Sequence, residues 1–139
     1  MRASESAQAL VEWALSAFVL MLFALGTIAV GQIVGEDMAV REAASEAAYA
    51  AARAPSAQAA QVAGQDAAKQ AAQGSQLQDL EVTIDTAGFQ RGGTLTVTVH
   101  AYVSLAAFPI VSEILGRRVP LTWQSRALIE PFRSRTVRQ

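Results

Sequence analysis

Residues 13–35 read WALSAFVLMLFALGTIAVGQIVG, 23 consecutive positions without a charged side chain. As a helix rising about 1.5 Å per residue, this run extends roughly 34 Å, enough for one crossing of a hydrocarbon core about 30 Å thick. The run therefore predicts a membrane-spanning helix near the N-terminus and leaves about 100 residues for everything else. Its flanks predict an orientation. Arg2 and the amino terminus precede it, whereas Glu36 and Asp37 follow it with only Arg41 as a nearby base. The positive-inside rule places the first dozen residues in the cytoplasm and the chain after residue 35 outside.

A cleaved secretory signal is the competing reading, with AVG at 29–31 as a small-x-small site before Gln32 and a soluble secreted domain as the product. The apolar run is longer than the h-region of about 7–15 residues that such signals carry, and Glu5 and Glu12 stand where a signal peptide is positively charged.

Charge is nearly balanced over the whole chain, at −1, but unevenly placed. Between residues 36 and 85 eight acids meet three bases; from Arg117 onward six arginines meet the single acid Glu130. No global basic excess suits nucleic acid, and the split predicts contact between complementary regions of one molecule or of neighbouring copies. The acidic stalk residues Glu36, Asp37, Glu42 and Glu46 are the candidate partners of Arg133, Arg135 and Arg138 in a neighbour.

Ahead of the apolar run stands SAQALVEWAL, residues 6–15, with Glu12 directly before Trp13. A carboxylate at the centre of a bilayer helix costs about 2.5 to 3.5 kcal/mol on insertion scales and less near the interface, so Glu12 is tolerable only at the edge. In the simplest reading it marks the headgroup boundary, with Trp13 as its interfacial anchor.

A short polar leader, the small residue Ala7, then Gln8, Ala9, Leu10, Val11, Glu12 and the aromatic Trp13 leading straight into an apolar helix resembles the N-terminus of type IV prepilins. More narrowly, AQALVEWAL is similar to the TadE-like pseudopilins of tight-adherence pilus systems, whose usual text is a glycine followed by QALVEF. This chain has Ala7 in place of that glycine. The resemblance implies a structural pilin-like subunit, minor or major, serving surface attachment. It also implies a prepilin peptidase that cuts between Ala7 and Gln8, with other pilin subunits, a pilus assembly platform and the membrane as partners.

Cleavage there creates an ammonium on Gln8, four residues before Glu12 and on the same side of a helix. In a bundle of parallel copies the amine of one subunit meets the carboxylate of the next, and only one axial offset pairs both charges in an apolar surround. Gly26, Gly31 and Gly35 provide either close helix packing, with a GxxxG spacing at 31–35, or local melting of the helix.

The rest of the chain predicts an α+β head. Residues 36–54 are alanine-rich and continue the first helix until Pro55 stops it. Ser56 is a candidate N-cap for a second helix ending before Gly74, with Ala60, Ala63, Ala67 and Ala71 as a thin apolar stripe. Leu80, Val82 and Ile84 alternate with polar residues in a strand at 80–85. Residues 94–103 alternate more cleanly, with Leu95, Val97, Val99, Ala101 and Val103 on one face. AGFQRGG between them predicts a hairpin turn. AAFPIVSEILG reads as a short helix or crossover, and residues 119–130 as a third strand with Leu121, Trp123, Ala127 and Ile129 on one face and Pro120 at its beginning or on an edge.

The expected architecture is a leader at 1–7, a transmembrane helix at 8–35, its extramembrane continuation at 36–54, and a head at 55–139 with a three-stranded antiparallel sheet and a basic tail. Nothing in the sequence predicts an enzyme, a cofactor or a metal site. Cysteine is absent, and the single histidine, His100, falls on the threonine face of a strand without a second ligand at a metal spacing. Besides the pilin-like and secreted readings stands a third, an uncleaved single-pass envelope protein whose outer module binds a partner.

Overall fold

The longest element is one unbroken helix, α1 (Arg2–Ala52), of 51 residues. At 1.5 Å per residue it is about 76 Å long, far beyond a single globular core. The computed structural model describes residues 2–130, with side chains from Glu5 onward. Arg133, Arg135 and Arg138 lie outside the described residues.

The second half of α1 owes its helicity to alanine, and the helix ends where Arg53 and Ala54 close tight turns onto Ala50 and Ala51 just before Pro55. The chain reverses into α2 (Ala57–Ala71). Ser56 is its N-cap as the sequence predicts: the residue is extended, and its hydroxyl oxygen accepts the backbone N–H of Ala59 at 3.2 Å. Three strands follow, β1 (Leu77–Asp85), β2 (Thr94–Ser104) and β3 (Arg118–Leu128), with α3 (Pro109–Leu115) between the last two. The sheet is antiparallel in the order β1-β2-β3, so β2 is central. The fold is the expected α+β one, a long apolar helix carrying a second helix and a three-stranded sheet.

The second half of α1 packs across β2 and β3, while α2 lies beside α1 and reaches β1. Val40, Ala43, Ala44, Ala47, Ala48 and Ala51 are buried at the three- and four-residue spacing that keeps one helix face inward. Opposite them, Leu95, Val97, Val99, Ala101 and Val103 of β2 are all fully buried. Alanine on the helix and branched residues on the strand let the two layers pack closely.

Two expectations need correction. Of the expected stripe Ala60, Ala63, Ala67 and Ala71, only Ala60 is fully buried; the buried line continues through Gly64 and Ala68, with Ala63, Ala67 and Ala71 half-buried beside it. A Cβ on Gly64 would strike Cδ1 of Ile84 and stand 3.2 Å from the Ala47 carbonyl oxygen, so any larger residue must displace the Ile84 side chain and crowd the α1 backbone. The first strand begins at Leu77 rather than Leu80. A register shift between Gln78 and Glu81, with Asp79 at φ 52°, lets Leu77 and Leu80 both lean on the core although they are three residues apart.

Candidate assembly helix

From Glu5 to Met21 every residue of α1 is exposed. Leu10, Trp13, Leu15, Leu20 and Phe23 all present more than half of their surface, and within the most apolar stretch of the helix only 6% of residues are buried. Water does not stabilise so large an apolar cylinder. The helix is long and apolar enough to cross a membrane, consistent with a single-pass membrane protein.

Ala7, Gln8, Glu12 and Trp13 stand on this exposed cylinder, Gln8 and Glu12 one turn apart on the same side. Gly26, Gly31 and Gly35 follow. The helix runs through all three, and a Cβ at any of them would meet nothing within 4 Å. Thr27 donates its hydroxyl to the Phe23 carbonyl at 2.9 Å, satisfying the polar group within the helix.

The end of the apolar run is fixed by contacts that its composition alone did not show. Gln32 donates its side-chain amide to the Gln76 side-chain carbonyl at 3.0 Å, and Glu36 accepts the Gln76 backbone N–H at 3.0 Å. These bonds tie the entrance of β1 to α1 and make Gln32 the point on the apolar run where a side chain first bonds the head. The apolar length before it, from Trp13 to Gly31, is about 28 Å, still matched to a hydrocarbon core. The only sequence signal for this clamp was the glutamine inside an otherwise apolar run.

The acidic stalk residues divide in use. Glu36 serves the clamp. Asp37 holds Arg41 at 2.8 Å, and the Arg41 guanidinium lies 4.1 Å above the Trp123 ring. Glu42 and Glu46 are exposed, on the opposite side of the helix from the buried alanines. Trp123 points to the helix side of the sheet, but it is 38% exposed and covered by Arg41 rather than enclosed, because β3 is an edge strand.

On the outer face of the sheet Arg118 reaches across Tyr102 to Asp79 at 2.6 Å and Gln78 at 3.1 Å, joining β3 to β1 over the central strand. His100 pairs through Nδ1 with the Thr122 hydroxyl at 2.6 Å and meets the Tyr102 ring edge-on. The His100–Thr122 contact joins a cross-strand pair in register, whereas His100 and Tyr102 are neighbours on one face of β2. Among the described residues no group of three or more His, Asp or Glu is placed to hold a metal ion.

No curated protein and no solved structure matches the chain significantly. The model of the family described as TadE-like protein, a family of structural, pilus-associated proteins, matches residues 7–53. The match starts at Ala7 and stops one residue past the end of α1, leaving out α2 and the sheet. Over residues 7–53, which span its long N-terminal helix, the chain is similar to the TadE-like family.

Proposed function

We propose that the chain is a structural subunit, minor or major, of a tight-adherence type IV pilus, made as a single-pass precursor in a bacterial inner membrane with its N-terminus in the cytoplasm and its head outside. The observation that carries the reading is the pairing of a TadE-like helix with an apolar half that the fold leaves uncovered. In the membrane lipid covers that half; in a filament the same half of neighbouring subunits does. Prepilin peptidase cuts between Ala7 and Gln8, and the family match beginning at Ala7 supports this position. The new Gln8 amine then pairs with Glu12 of the next subunit and fixes the axial offset of the bundle.

Gly31 and Gly35, open on the helix surface, allow a second helix to approach closely. Of the acidic stalk residues, Glu42 and Glu46 are the ones left for the basic tail of a neighbour, with Arg133, Arg135 and Arg138. The assembly platform delivers the subunit, and the filament displays the head for surface attachment.

N-terminal mass spectrometry of the mature protein tests the processing step. A chain beginning at Gln8 is expected. Met1 would favour the uncleaved envelope module, and Gln32 the secreted domain; the latter cut would remove Ala29, which is fully buried. In a Glu12→Ala variant processing should persist while filament assembly is lost. Normal assembly by a processed Glu12→Ala chain would refute the register pair.

A further inference from the structure

The segment between β2 and β3 does not stay at the level of the sheet. It leaves at a neck where the Leu105 N–H donates to the Arg117 carbonyl at 2.9 Å, directly beyond the last strand pair, Ser104 with Arg118. Below that neck α3 lies beside the apolar half of α1. Leu22, Leu25 and Gly26 form one wall of a groove and Phe108, Val111 and Ile114 the other.

The depth follows from the helix itself. Gln32 is where the apolar run first bonds the head, through Gln76. Gly26 and Leu22 stand six and ten residues earlier on α1, hence about 9 and 15 Å further along the axis. Half of a hydrocarbon core is about 15 Å. If α1 spans the bilayer with Gln32 at its outer boundary, α3 is level with the acyl chains of the leaflet on the head side.

Its composition suits that level. Ile110, Val111, Ile114 and Leu115 occupy one arc of the short helix, and Ser112 and Glu113 the other. No residue of α3 is buried, and Ile114 is 78% exposed. Ser112 spends its hydroxyl on the Pro109 carbonyl at 2.9 Å. Arg117 follows at the neck, where the headgroup phosphates lie.

We infer that residues 106–116 form a second membrane contact of the unassembled subunit, an amphipathic loop seated in the head-side leaflet beside α1, with its apolar arc against lipid acyl chains and Arg117 at the phosphates. Two contacts hold the head at a fixed tilt on the bilayer, where one helix alone would let it swivel. The inference rests on the reading of α1 as a membrane span, and its test separates the two.

The chain has no cysteine, so single substitutions Ile114→Cys, Leu20→Cys and Gln124→Cys each accept one environment-sensitive fluorophore. The full-length labelled proteins are reconstituted in phosphatidylcholine vesicles, with or without bromine on the acyl chains, and titrated with aqueous iodide. Labels at Leu20 and Ile114 should lose emission to the bromines and resist iodide, while the label at Gln124, exposed on the outer face of β3, should do the reverse. Leu115→Cys repeats the measurement from the same arc in case a label at Ile114 disturbs the loop.

Bromine quenching at Leu20 with iodide quenching at Ile114 and Leu115 would overturn the loop contact and leave the membrane span standing. Iodide quenching at Leu20 would overturn both. Protection of Ile114 and Leu115 from both quenchers would mean that a second copy of the chain covers the loop, and would overturn lipid as its occupant.

Discussion

The two halves of α1 are one continuous helix made for two different surroundings. Around Leu15, Leu20 and Phe23 large apolar side chains point outward in every direction; from Val40 to Ala51 the inward face is almost wholly alanine. The first pattern is what a helix shows when its partner is lipid or other helices on all sides. The second is what it shows when two layers of its own chain must come close on one side. The long helix is thus an apolar rod fused to a thin spine, and the head is built on the spine.

The largest contrast is therefore between substitutions of opposite size in the two halves. Ala47→Leu adds a branched side chain where the residue is fully buried against Gly64 and the sheet, and should destabilise the head by about 1 to 3 kcal/mol. Leu20→Ala removes as much volume from a side chain that touches nothing of the head, and should leave head stability within about 0.5 kcal/mol of the parent. Hydrogen exchange at the β2 amides in detergent micelles measures both. Equal effects would mean that the head does not fold as a unit on the spine.

The closest point of that spine gives a finer test. Gly64→Ala should gain up to about 1 kcal/mol of helix propensity, yet it forces a methyl group onto Ile84 Cδ1 and toward the Ala47 carbonyl, so a net loss near 1 kcal/mol is expected. Ile84→Val alone should cost about 0.5 to 1.5 kcal/mol. Because valine lacks that Cδ1, the double variant should be more stable than the two losses summed, with a coupling of about 0.5 kcal/mol or more. Strict additivity would show that Gly64 is not selected by the approach of Ile84.

The apolar rod and β2 were legible in the sequence because each follows one period without interruption, 23 uncharged positions in one case and strict alternation in the other. The start of β1 was not, since the irregularity at Asp79 puts Leu77 and Leu80 on one face at a spacing that no strand period contains. The buried line of α2 was ambiguous for a different reason. Nearly every position there is alanine or glycine, so composition does not tell the face that meets α1 from its neighbour. Ala7, Gln8, Glu12 and Trp13 were legible as a local motif, whereas the clamp of Gln32 and Glu36 on Gln76 joins residues forty or more apart and needed the fold. Trp123 was legible as sharing the face of Leu121 but not as 38% exposed, since Pro120 fitted either the beginning of a strand or an edge and the alternation alone does not choose between them.

That edge offers the smallest and most selective test, because Arg41 is held there by two forces of different range. Its guanidinium lies 4.1 Å over Trp123 and 2.8 Å from Asp37, with roughly half of the Arg41 side chain in water. A partly exposed cation over an indole contributes about 0.5 to 1 kcal/mol, and a surface ion pair one turn apart on a helix about 0.3 to 0.5 kcal/mol. Asp37→Asn should therefore cost less than Arg41→Met, and its cost should vanish in high salt, where surface pairs are screened. The cost of Arg41→Met should largely persist in salt, since methionine covers the ring but supplies no charge to its face. If both losses disappear together in salt, Trp123 is held by packing alone and Arg41 acts only through Asp37, which would make the junction of spine and edge strand a contact of shape rather than of charge.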